Sequence, residues 1–142
     1  MNTPRLILAL ACCIAFALFA PLIFAAIDRR REEPEEIDVN RMLVVIAQLE
    51  GGDPNALGGA YCIARGTWQD RTAMPYESSR EPRVCAYVAR DQVAWIIGVL
   101  RNAKRKPTPA AVASVWRYGF TGYLRGRPLD YGRRAANLYN SK

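Results

Sequence analysis

The chain has 142 residues, with 20 Lys or Arg against 13 Asp or Glu for a formal charge of +7, and is 51% hydrophobic. It contains no His, which excludes Ser-His-Asp and Cys-His catalysis and the common catalytic zinc sites, because all of these use an imidazole. No cofactor and no metal is expected, so any catalysis has to rest on carboxylates, Lys, Tyr or a thiol.

Leu6 to Ile27 is a run of 22 residues without a charge. At about 1.5 Å rise per residue it can cross a hydrocarbon core of about 30 Å. Residues 1–27 therefore read as an N-terminal transmembrane or signal helix, an uncleaved anchor in preference to a signal cleaved near Ala25 or Ala26. The stretch "DRRREEPEEID" carries nine charges and a Pro in eleven residues. Residues 28–37 are accordingly a solvated tether. The basic residues Arg29, Arg30 and Arg31 would, by the charge rule alone, hold the following domain on the cytoplasmic side.

Residues 38–142 form the expected domain, with a helical pattern. Asp38 caps a helix with Val39, Met42, Leu43, Ile46 and Leu49 at spacings of three and four, stopped by Gly51 and Gly52. The Gly-rich stretch from Asp53 to Met74 allows a turn or a small strand pair before a short helix. Pro82 opens a longer helix through about Arg101, with Val84, Val88, Val93, Ile96, Ile97 and Leu100 near one face. Tyr87 and Trp95 on that helix are assigned to the core. Thr108 and Pro109 start a third helix ending at Gly119, and Asp130 caps a fourth. The fold expected is mainly α, a small helical domain with a minor β element.

Glu50 stands out because a carboxylate in the last turn faces the negative end of the helix dipole. That position disfavours its charged form by a few tenths to about 1 kcal/mol. The plain alternative is an exposed helix-end Glu. Against it, Gly51 and Gly52 would let a ligand approach the backbone, and Tyr61, Trp68, Trp116, Tyr118 and Tyr131 are available to line a cleft. A carboxyl kept neutral among aromatic groups can act as a general acid.

The segment "VIAQLEGGDPNALGGAYCIARGTWQD" resembles the start of the lysozyme-like lytic transglycosylase domain, in which a helix ends in the catalytic Glu. "ASVWRYGF" and "DYGRRAANLY" are similar to two later segments of that family, and the three occur in the family order over about residues 38–140. The resemblance implies a lysozyme-like fold, Glu50 as the single catalytic acid and base, and Tyr131 beside it. Two positions depart from the family pattern: Cys62 stands where many relatives have Gln, and Arg117 where the family has Asn.

The implied reaction is cleavage of the β-1,4 bond after N-acetylmuramic acid in peptidoglycan. Glu50 would protonate the leaving oxygen and then take a proton from the C6 hydroxyl, closing a 1,6-anhydro ring. A hydrolysing lysozyme would need a second carboxylate, for which Asp53 and Asp70 are the candidates, with Glu77 behind them. The expected partners are peptidoglycan glycan strands and, through the N-terminal helix, a membrane, in the cell envelope. From residue 37 onward 16 basic and 8 acidic residues give +8, which suits an anionic wall polymer. Nucleic acid is not expected, since the basic residues are scattered apart from "RNAKRK". Cys62 and Cys85 are either two independent buried thiols or a disulfide closing a 24-residue loop, worth roughly 3 kcal/mol in an oxidising compartment. The alternative function is a non-catalytic, membrane-anchored module that binds glycan or a protein partner with a degenerate form of the same fold.

Overall fold

Residues 36–126 and 130–141 are described by the computed structural model. The apolar run 6–27 and nearly all of the tether lie outside them, so the expected N-terminal helix does too. No helix among the described residues is long and apolar enough to cross a membrane.

Among the described residues five α-helices carry the fold: α1 (Val39–Glu50), α2 (Arg65–Arg71), α3 (Pro82–Asn102), α4 (Pro109–Leu124) and α5 (Asp130–Asn140). Asp38 caps α1 as expected, its carboxylate accepting from the amides of Asn40 and Arg41. At the other end Gly51 takes a left-handed conformation (φ 60°, ψ 27°) and donates to Ala47 O at 2.9 Å. A side chain there would be strained, so the residue after Glu50 is what ends the helix. Pro82 starts α3 and Thr108 caps α4 through its hydroxyl. Within α4, Gly119 (φ 70°, ψ 167°) breaks the helix into two runs, at the position where the sequence places its end.

The expected β element is absent among the described residues. Between α1 and α3 the chain forms α2 and two 3-10 turns, Gly59–Tyr61 and Tyr76–Arg80. Positive φ values at Gly58, Gly59 and Cys62 interrupt any extended run. The backbone groups that a strand pair would have satisfied go elsewhere: Gly58 N donates to the buried Ser79 Oγ at 2.8 Å, and Ile63 O accepts from the Tyr76 hydroxyl at 2.7 Å.

The core is built from Met42 and Ile46 of α1, Trp68 of α2, Val88, Val93, Ile96 and Leu100 of α3, and Val112 of α4, all essentially inaccessible. Each such side chain contributes roughly 1.5–3 kcal/mol by leaving water. Tyr87 and Trp95 are not in it, being 66% and 42% exposed. Trp95 faces outward beneath the Arg71 guanidinium, 4.6 Å above its ring, a stacking contact made at the surface.

Two close fits hold α5 where it matters. Asp38 N donates to the Tyr139 hydroxyl at 2.9 Å and Arg41 donates to Ser141 O at 3.0 Å, joining the start of α1 to the end of α5. Along α4, the bare Cα of Gly132 sits so close that a Cβ would lie 2.5 Å from Ser114 Oγ and 2.8 Å from Ala110 O. Together these run α5 antiparallel to α1 and bring its first turn to the carboxyl end of α1.

Candidate active site

Glu50 is held where three helices meet. Its side chain is only 6% exposed. Tyr131, in the first turn of α5, donates its hydroxyl to Glu50 Oε1 at 2.5 Å. Arg117 of α4 donates Nη1 to Oε2 at 3.1 Å, although its own side chain is 53% exposed. The exposed helix-end Glu is thus excluded, but so is the purely aromatic surrounding: a guanidinium serves as counter-ion to the buried carboxyl. Burial, and then the hydrogen bond to Glu50, push the Tyr131 phenol far above its usual range, against the opposing effect of Arg117. Tyr131 is therefore a protonated donor to Glu50 around neutral pH.

Beside this group lies a cleft of about 170 Å³ lined by Glu50, Cys62, Ile63, Ala64, Thr67, Gln92, Trp116 and Arg117. Glu50 is the one carboxylate among these residues. Small-molecule pockets usually run from about 300 Å³ upward, so the cleft has room for no more than one end of a ligand.

The aromatic residues expected in the cleft divide. Trp116 lines it, and Tyr131 touches Glu50. Tyr118 buttresses Tyr131 edge-on, with ring centroids 6.3 Å apart and planes at 76°. Tyr61 is half-buried against the core and outside the cleft, where burial and the neighbouring Cys85 raise its phenol against Arg90. Trp68 is a correction: it is fully buried, its indole N–H donating to Met74 O at 2.7 Å, so it supports α2 and cannot meet a ligand.

The second-carboxylate candidates are corrected too. Asp53 is exposed and accepts from Asn55 N at 2.9 Å, closing a turn in the loop. Asp70 is exposed on α2, and Glu77 pairs loosely with Arg65 at 3.9 Å on the surface. None of the three lines the cleft. Gly52 likewise leaves no room for a ligand, because the chain itself fills that space: a Cβ there would lie 2.4 Å from Gly59 O and 2.9 Å from Cys62 Sγ.

Cys62 and Cys85 are free thiols, not a disulfide. Cys85 is buried and donates to Gly58 O at 3.3 Å, and burial raises its thiol to about 11, with a smaller contribution from Cys62. Cys62 is exposed at the cleft wall with Sγ 4.0 Å from Glu50 O. Burial and then Glu50 raise its thiol, Arg117 opposing, so it is a poor nucleophile at neutral pH.

Thr67 and Gln92 enter the site without having been singled out from the sequence. Gln92 carries a readable signal, since it lies four residues from both Val88 and Ile96 on the buried face of α3. An amide at such a position has to find either a polar partner or a cleft. Thr67 has no comparable mark, because α2 is only seven residues long and shows no apolar period. Comparison with family models, with curated proteins and with solved structures gives no match for this chain.

Proposed function

We propose that the domain cleaves the glycan strands of peptidoglycan at the β-1,4 bond after N-acetylmuramic acid, with Glu50 as its single acid and base. The observation that carries this reading is a carboxyl 6% exposed, at the edge of an open cleft, fixed by a hydroxyl 81 residues away. The reactive form is the protonated one, in which Glu50 gives its proton to the glycosidic oxygen as the C1–O bond breaks. The carboxylate that results is met by the Tyr131 hydroxyl and by Arg117. It then takes the proton of the C6 hydroxyl as that oxygen bonds to C1, which restores the acid and leaves a 1,6-anhydro end. A water-activating carboxylate would favour hydrolysis; among the described residues lining the cleft there is none besides Glu50, which favours the ring-closing route.

The lysozyme-like family reading rests on the three sequence segments and on Glu50 ending α1 with Tyr131 beside it. The apolar run 6–27 supports work at the cell envelope, anchored or secreted. One observation favours a second reading: Arg117 occupies Oε2 of Glu50, as it would in a module that keeps the fold and binds glycan without cutting it. The test is digestion of purified peptidoglycan with the full-length chain, followed by mass analysis. Fragments ending in 1,6-anhydro sugars support the ring-closing enzyme, reducing ends indicate a hydrolase, and binding without fragments selects the non-catalytic module.

A further inference from the structure

Arg117 is the one cation among the described residues that line the cleft. Its guanidinium uses Nη1 on Glu50 and makes no other hydrogen bond among the described residues, while the side chain is 53% exposed. A guanidinium has five N–H donors arranged to grip a planar carboxylate with two of them. Besides Glu50, the polar cleft side chains Thr67 and Gln92 are neutral, so no second cation among the lining residues competes for a negative group. Arg117 also lies two residues before the Gly119 break in α4, a place where the local backbone is not tied into a continuous helix.

We propose that Arg117 selects a substrate bearing a free carboxylate on the sugar ring beside the scissile bond. This rests on the peptidoglycan reading above. In that polymer the ring carboxyl is the lactyl group of muramic acid, and it is free only where the stem peptide has been removed. The preferred substrate is therefore denuded glycan, and the reaction that supplies it is hydrolysis of the amide between the lactyl group and the peptide.

The experiment compares purified peptidoglycan with the same material stripped of its peptides by an amidase, each digested by the full-length chain. Formation of new chain ends is measured per mass of glycan. The denuded strands should be cut roughly threefold to tenfold faster, as suits a charge pair at a half-exposed arginine. That ratio should fall toward one in Arg117→Gln, even if both rates drop, because any effect on Glu50 is common to the two substrates. It should also shrink for the unaltered protein at high ionic strength, which checks the claim without a variant. Equal rates on both materials, or faster cutting of peptide-bearing glycan, would overturn the Arg117 proposal while leaving the enzyme reading intact. Failure to cut either material would overturn both.

Discussion

Tyr131→Phe removes one hydroxyl and keeps the ring, so it isolates the bond that fixes Glu50. The ring's edge-on contact with Tyr118 is retained. What is lost is a 2.5 Å hydrogen bond to a carboxyl only 6% exposed. Hydrogen bonds to charged groups contribute about 1.5–3 kcal/mol, and little water reaches this carboxyl to replace the hydroxyl. We expect a loss of about 2 kcal/mol at pH 7, which lowers the urea midpoint by roughly 1–2 M at unchanged m and the melting temperature by roughly 10 °C. The assay is a double-mutant cycle with Glu50→Ala. If the bond acts as drawn, the two substitutions couple by about 1–2 kcal/mol; additivity to within about 0.5 kcal/mol would refute the reasoning. The pH dependence has a definite sign. A phenol raised above its unfolded value of 10.0 contributes stability that is complete below about pH 10 and is lost as pH rises beyond it. Tyr131→Phe should flatten that part of the alkaline limb.

Gly132→Ala should destabilise the domain by about 1–3 kcal/mol despite the better helix propensity of Ala, because the new Cβ meets Ser114 Oγ and the Ala110 carbonyl; a melting curve shows this, and an unchanged melting temperature would mean that α4 and α5 do not pack so closely. The Cys85 thiol, raised from 9.0 to about 11, contributes stability that is full below pH 9 and falls by roughly 2–3 kcal/mol as pH rises to about 11. Urea titrations across that range should show the fall reduced in Cys85→Ser, which keeps a donor for Gly58 O. Asp53→Asn and Asp70→Asn should each change cleavage less than threefold, since neither side chain lines the cleft; a hundredfold loss in either would point to an activated water and a hydrolase.

The ends of the helices were readable because local chemistry decides them. Asp38, Gly51, Pro82, Thr108 and Gly119 each act within one turn of their own position. Glu50 was readable for the same reason, as a carboxylate at the wrong end of a dipole. Of its partners, Tyr131 was expected there only through the family resemblance and Arg117 was not expected, since both reach it through the packing of α4 and α5. Aromatic residues misled in both directions. Trp68 follows Gly66 and Thr67 in a segment with no apolar period, yet its indole has a partner six residues on and closes the core. Trp95 lies on a long amphipathic helix, yet points outward under Arg71. In each case the deciding neighbour, Met74 O for Trp68 and Arg71 for Trp95, lies outside the helix that carries the ring, and hydrophobic spacing carries no trace of it.

The central claim is that Glu50 moves the proton, and Glu50→Gln tests it most directly, because the amide is nearly the same shape and still accepts from the Tyr131 hydroxyl. Both proteins are added to purified peptidoglycan, and chain ends are counted over time, with circular dichroism confirming the fold of each. The account predicts that the full-length wild-type chain releases 1,6-anhydro ends and that Glu50→Gln is slower by about 10² to 10⁴-fold. Cleavage by Glu50→Gln at a rate within a few fold of wild type would contradict it.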